Sequence, residues 1–238
     1  MLYKDLLLSD ESSLSNKDYI ERKKLIEEFS KMPVEFFSKL RHFQPQIGCL
    51  NACKICSKFA GTTTEYWTES RQRNVIAALK YSVPKRKDDL PLIVWDRNEH
   101  RTGVIFSYLD NDIGNYFYLD KFIELAYREL GVVTRISTVG YSRLNDVLNK
   151  MHQRINSDEL LEALGGVRLS FTPYEIGWEC PNNTQKYSQY DYISDMANFL
   201  KTYKPYYKKA GAGSRNMCVE IRYKPLVEIS QVFDTTVL

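Results

Sequence analysis

The sequence of 238 residues has no apolar run long enough to cross a membrane, and it does not begin like a secreted protein. Residues 1–8 are too short and too acidic a stretch to serve as a signal peptide. The net charge is only +3, so charge alone does not indicate a nucleic-acid partner. These absences predict a cytoplasmic protein without a membrane partner, and they argue against nucleic-acid binding.

Cysteine is scarce, but its distribution is informative. The chain has five cysteines, an odd number that argues against a disulfide framework in a chain without a secretory signal. Three of them, Cys49, Cys53 and Cys56, follow the spacing C-x3-C-x2-C. Three thiolates on one tight loop can hold three corners of a cubane iron–sulfur cluster and leave the fourth iron without a protein ligand. The spacing therefore predicts a cluster with one iron open for chemistry.

Two other interpretations use the same cysteines. A structural zinc ion needs a fourth ligand, and His42, seven residues before Cys49, is the nearest histidine. The pair Cys53 and Cys56 taken alone has the C-x-x-C spacing of redox proteins, but the strand–helix context of a thioredoxin is missing and an additional thiol precedes it. The spacing favours the cluster over both.

Alternating strand and helix periodicities along the chain predict βα units and an α/β fold. A first helix over 16–31 precedes them, so we predict an N-terminal helical extension at 1–40 and one domain at 41–238. A long helical stretch, restarted by Ser157 as an N-cap, is predicted to end at Gly165 and Gly166. The predicted strands are 43–48, 103–108, 132–140, 167–172 and 217–223. Further helices are predicted at 68–82, at 119–130, closed by Gly131 as a C-terminal cap, and from 188 to about 200.

The last two strands each have a polar and an apolar face. In a parallel sheet covered by helices, the apolar face packs against the helices and the polar face lines the concave side. The alternation therefore predicts a partial, wide parallel barrel that holds a charged ligand. An antiparallel sheet with one wet face is the alternative. The polar set is Arg168, Ser170, Thr172, Cys218, Glu220 and Arg222, and the apolar set is Val167, Leu169, Phe171, Val219, Ile221 and Tyr223.

The cysteine spacing, together with the order strand, cysteine loop and helix, resembles the radical S-adenosylmethionine (radical SAM) superfamily. The resemblance implies a partial (βα)-type barrel and a 4Fe-4S cluster on Cys49, Cys53 and Cys56, with S-adenosylmethionine on the open iron. It further implies a 5′-deoxyadenosyl radical that abstracts hydrogen from a small-molecule or peptide substrate, and an electron donor such as flavodoxin or ferredoxin.

Two alternatives to this function remain open from the sequence. A short chain without cysteines for a second cluster also fits an activase of glycyl-radical enzymes, which acts on a partner protein. The alternative of another class is a zinc-binding interaction or nucleic-acid module that uses the three cysteines and His42.

The resemblance also implies contacts to S-adenosylmethionine, whereas no residue is assigned a catalytic role. Leu109 to Asp112 stand where the family usually has Gly-Gly-Glu, so an aspartate there is expected to bind the amino group. The carboxylate needs a cation, for which the fork of an arginine is better suited than a point charge. The candidates are Ile55 near the adenine, Asp110 or Asp112 for the amino group, Ser170 near the ribose, Ser137 as a further cofactor contact, and Arg168, then Arg143 or Arg222, for the carboxylate.

Overall fold

The structure is a computed structural model that describes residues 14–49, 63–85, 91, 93, 103–171, 189–210 and 217–221. Its helices are α1 (Asn16–Ser30), α2 (Val34–Ser38), α3 (Glu69–Ser82), α4 (Leu119–Leu130), α5 (Asp146–Ile155), α6 (Gln189–Thr202) and α7 (Lys204–Ala210). Its strands are β1 (Gln46–Ile47), β2 (Glu65–Tyr66), β3 (Gly103–Phe106), β4 (Val132–Thr138), β5 (Leu164–Phe171) and β6 (Met217–Ile221).

Strands β3, β4, β5 and β6 form a four-stranded sheet in which every neighbouring pair is parallel and the spatial order is the order along the chain. The predicted α/β class is therefore confirmed, and the antiparallel alternative is wrong for these strands. Right-handed crossovers put the connecting helices of such a sequentially ordered sheet on one face, which leaves the opposite face for other contacts.

The two faces of the sheet differ in burial as the alternation predicts. Ile136, Val167 and Leu169 are each 0% exposed and belong to the main hydrophobic core together with Phe122 and Ile123 of α4. Val133, Arg135 and Ser137 point to the opposite side of β4 and are only half-buried. The helix-covered face of β4 and β5 is thus buried and mostly apolar, and the other face, which we call the open face, carries polar groups. On β6 the prediction is wrong for Val219, which pairs with the buried Leu169 but is 48% exposed.

Local signals set several helix ends. The Thr68 side chain accepts a hydrogen bond from the Arg71 backbone N–H at 3.2 Å and begins α3, as predicted. Gly131 closes α4 with a left-handed backbone, at φ 64°, which is also as predicted.

The sequence predicted that Gly165 and Gly166 end a helix. This is wrong, because both residues lie inside β5. The helical stretch ends earlier, in a single 3-10 turn at Leu161–Ala163. Thr134 pairs with Leu164 and Arg135 pairs with Gly166, so Gly165 is the additional residue of a β-bulge. A Cβ at Gly165 would lie 2.5 Å from Cγ2 of Val133. Glycine is needed here for close packing between strands, a reason that only the tertiary structure reveals.

The strand predicted at 43–48 is divided by Pro45. Before it, the Phe106 N–H donates to the Arg41 carbonyl at 2.7 Å and the Phe43 N–H donates to the Phe106 carbonyl at 3.0 Å, in a parallel bridge centred on His42. After it, β1 pairs with β2 in an antiparallel ladder. Proline has no N–H to continue a ladder. Residues 41–43 nevertheless lie beside β3, at the edge of the sheet opposite β6.

The N-terminal helices share the core of the sheet domain. Leu25, Ile26 and Phe37 belong to the same hydrophobic cluster as the strands, and the Arg22 side chain donates to Asn74 of α3 at 3.2 Å. The division at residue 40 stays a prediction. Among the described residues, no helix has both the length and the apolar character needed to cross a bilayer.

Candidate functional site at the carboxyl edge of the sheet

The two ends of the segment that carries Cys53 and Cys56 lie side by side. Gly48 has φ +76°, and a Cβ there would lie 2.0 Å from the Thr63 carbonyl oxygen. The short β1–β2 ladder pairs the residues just before Gly48 with those just after Thr63. Cys49, the first of the three cysteines, is half-buried at this base, whereas Cys53, Ile55 and Cys56 lie outside the described residues. The described base thus fixes where the loop begins and ends.

Hydrogen bonds hold this loop base against the segment that follows β3. The Asn111 side chain donates to the Gln46 carbonyl at 2.6 Å, and the Gln44 side-chain amide donates to the Asp110 carboxylate. In open α/β sheets, ligands bind beyond the carboxyl ends of the strands. Asp110 lies beyond the end of β3 and, through Gln44, beside the chain that leads to Cys49, and its contact to a cofactor stays a prediction.

Asp112 has a structural task in the same segment. One carboxylate oxygen accepts the Gly114 N–H at 3.0 Å, the other accepts the Val139 N–H at 2.9 Å, and the residue is only 4% exposed. Asp112 therefore ties the chain leaving β3 to the chain leaving β4. Of the two aspartates predicted for the amino group, Asp110 is the better candidate, because it is half-buried and its carboxylate is less engaged with the backbone.

Arg143 is engaged with carboxylates of the protein itself. Its guanidinium donates to Asp195 at 2.9 Å and to Asp191 at 3.0 Å, and these bonds raise its pKa. The Asp195 side chain is fully buried. Arg143 thus joins the exit of β4 to α6, and two carboxylates of the protein itself already occupy its guanidinium fork.

A row of polar residues crosses the open face of the sheet. Arg168 of β5 lies between Ser137 of β4 and Cys218 of β6 in the register of the strands. Ser170 follows two residues along β5, nearer the carboxyl edge, and is 3% exposed. The structure therefore brings together three predicted residues, Ser137, Arg168 and Ser170, on one face of the sheet.

Arg135 and Tyr108 are neighbours of this row that the sequence reasoning missed. Burial raises the pKa of the Tyr108 hydroxyl, and the positive charges of Arg135 and Arg168 act against this rise. The guanidinium of Arg135 also lies over the Phe106 ring, 5.8 Å from its centroid. The period-two alternation of β4, applied as it was to β5, would have identified Arg135.

A buried aromatic cluster contacts the segment that follows β3, near the same edge of the sheet. The ring of His152 stacks on Tyr141 with centroids 4.3 Å apart. Its Nε2 lies 2.8 Å from the Gly114 carbonyl oxygen and its Nδ1 lies 2.8 Å from the Tyr203 hydroxyl. Because a carbonyl only accepts, Nε2 carries the proton and Nδ1 accepts from Tyr203 in the neutral ring. Both ring nitrogens are therefore satisfied without a charge.

Acidification should destabilise the protein through His152. Burial lowers its pKa to about 4, against about 6.5 in an unfolded chain, so the unfolded state binds more protons between these values. The contribution of His152 to the free energy of unfolding should therefore be fully present above pH 6.5. The free energy of unfolding should fall by about 3 kcal/mol as the pH drops to about 4. Urea unfolding at a series of pH values measures this slope.

His152→Gln should flatten that slope, because the amide keeps a donor and an acceptor but does not titrate. His42 is exposed, so His42→Gln is the matched control and should keep the wild-type slope. A slope that is the same in all three proteins would contradict the role of His152.

Within the described residues, no three His, Cys, Asp or Glu side chains form a group that could hold a metal ion, and two of the three motif cysteines lie outside these residues. The ring of His42, the fourth zinc ligand of the alternative interpretation, packs against Phe106 with centroids 5.5 Å apart.

Comparisons of the chain with protein-family models, with curated proteins and with solved structures gave no match.

Proposed function

We propose that this protein is a radical SAM enzyme. The observation that carries the proposal is the C-x3-C-x2-C motif, which begins at Cys49, shortly after the segment that pairs in parallel with β3 at the edge of a sequentially ordered α/β sheet. The proposal includes a partial barrel. The helix-covered face and the polar open face of the four parallel strands support it, because helices on one side leave the polar side chains to line the other.

The residues present fit a 4Fe-4S cluster and S-adenosylmethionine. Cys49, Cys53 and Cys56 supply three thiolates, the number that leaves one iron open. Cys49 stands at the closed base of its loop, half-buried and beside the segment of Asp110. When bound, the reduced cluster supplies the electron that cleaves S-adenosylmethionine to a 5′-deoxyadenosyl radical.

The chain's own residues bind and orient the cofactor. Arg168, on the open face, holds the methionyl carboxylate through its guanidinium fork. Asp110 accepts from the amino group, Ser137 and Ser170 supply hydroxyls near the ribose, and Ile55 provides apolar contact for the adenine. The substrate is a small molecule or a peptide, and a flavodoxin or ferredoxin type of protein delivers the electron.

Anaerobic reconstitution tests the proposal. The wild-type protein should bind about four irons with matching sulfide, and with a strong reductant it should release 5′-deoxyadenosine from S-adenosylmethionine even without its substrate. One zinc per chain without iron uptake would instead support the zinc module. Intact S-adenosylmethionine after reduction of an assembled cluster would overturn the radical mechanism.

Arg168→Ala should weaken the binding of S-adenosylmethionine by about 1.5–3 kcal/mol, the usual contribution of a hydrogen bond to a charged group. Arg168→Lys should recover part of this loss, because an ammonium cannot reproduce the fork. The measurement is a titration of the reconstituted protein, with its iron content determined in parallel. Arg128→Ala, which removes an exposed arginine paired with Glu124 and Glu159, is the control. Unchanged affinity in Arg168→Ala would remove Arg168 from the site.

A further inference from the structure

Arg135 lies on the open face beside a position that has no side chain. Its partner in β5 is Gly166, where a Cβ would lie 2.7 Å from Nε and 3.0 Å from Cγ of Arg135. On the other side, its partner in β3 is Phe106, whose ring lies under the guanidinium. The stem of Arg135 therefore rests on a residue without a side chain, and an aromatic ring lies against its head.

A second cation lies close by. Arg168 is beside Ser137, two residues along β4 from Arg135, so the two arginine Cα atoms are about 8 Å apart on the same face. Tyr108 follows β3 near both arginines: burial raises the pKa of its hydroxyl, and the charges of Arg135 and Arg168 act against the rise. The described part of this face thus combines two guanidinium groups with a neutral tyrosine hydroxyl close by.

We propose that Arg135 binds an oxyanion, a carboxylate or phosphate group, of the substrate, while Arg168 binds the carboxylate of S-adenosylmethionine. A guanidinium carries its donors in a planar fork, which suits two parallel hydrogen bonds to an oxyanion. The Phe106 ring, with its centroid 5.8 Å from the guanidinium, adds an aromatic face next to this cation. A half-buried site strengthens such bonds relative to open water. That the oxyanion belongs to a substrate rests on the proposed function, whereas oxyanion binding by Arg135 requires neither cluster nor cofactor.

Two small oxyanions, succinate and inorganic phosphate, test the site in the full chain without iron. The midpoint of thermal unfolding is measured against probe concentration at constant ionic strength maintained with chloride, and the dissociation constant follows from the dependence. We expect saturable stabilisation of the wild-type protein by at least one probe. The stronger probe identifies the carboxylate or the phosphate as the group that is recognised.

Arg135→Met, which keeps the length of the stem, should weaken probe binding by at least about tenfold. Gly166→Ala should also weaken it, because the new Cβ displaces the Arg135 side chain without changing the net charge. Arg128→Met removes the same charge far from the open face and should bind the probes as the wild type does. If Arg135→Met does not fold, the probe affinities of Arg135→Lys and Gly166→Ala are compared with that of the wild type instead.

Three results would overturn the assignment. They are no saturable binding by the wild-type protein, equal affinity in wild type, Arg135→Met and Gly166→Ala, or a loss confined to Arg168→Met. None of them bears on iron content or on 5′-deoxyadenosine release, so failure of the oxyanion site is distinguishable from failure of the radical SAM proposal.

Discussion

Replacing any one of Cys49, Cys53 and Cys56 by Ala should reduce the iron of the reconstituted protein from about four atoms per chain to less than about one. A cubane held at only two corners lacks the third protein thiolate that would retain it during desalting. The measurement is iron and sulfide analysis of anaerobically desalted protein, with circular dichroism to show that the fold persists.

The remaining cysteines provide the matched control for that experiment. Cys218 is exposed on β6, and Cys180 has no cysteine neighbour at ligand spacing. The double replacement of Cys180 and Cys218 by Ala should leave the iron content unchanged. A proportional loss of iron in this double variant would show that a second cluster site exists, and full iron in Cys53→Ala would exclude the three-thiolate site.

Leu169→Arg should prevent stable folding. Leu169 is 0% exposed on the helix-covered face of β5, between Thr138 and Val219 of the neighbouring strands. A guanidinium forced into this interface is buried without a partner, at a cost of at least about 4 kcal/mol. That cost is a large part of the 5–15 kcal/mol that ordinarily stabilises a domain. Soluble yield, circular dichroism and the urea midpoint measure the effect.

The neighbouring residue tests the opposite face of the same strand. Arg168→Leu places an apolar side chain on the open face, where Arg168 is half-buried, and should leave the protein folded with a urea midpoint close to that of the wild type. A folded Leu169→Arg protein with the wild-type midpoint would show that the two faces of β5 are reversed.

The faces of β5 were predictable because a strand alternates with a period of two whatever lies around it. Val167 and Leu169 are buried and Arg168 is half-buried, as the pattern requires. The same local reasoning found the helix that begins near Thr68 and the cap at Gly131, since helix ends depend on hydrogen bonds and backbone angles within a few residues.

Pairing partners were not predictable in this way. Arg143 and Asp112 were sensible candidates for ligand contacts, but Arg143 is held by Asp191 and Asp195, and both oxygens of Asp112 accept backbone N–H groups. Asp191 and Asp195 are about fifty residues from Arg143 along the chain. A sequence read locally does not show which charges meet across such a separation.

The sequence by itself determined the α/β class, the two faces of β5 and the three-thiolate spacing, because these depend on periodicity and on the count and type of ligands. The tertiary structure decided which polar groups are already engaged, why Gly165 and Gly166 lie within β5, and that Arg135 shares the open face with Arg168. These depend on register between strands distant in the chain. Register is set by the packing of the whole sheet and leaves no local signal in the residues that it brings together.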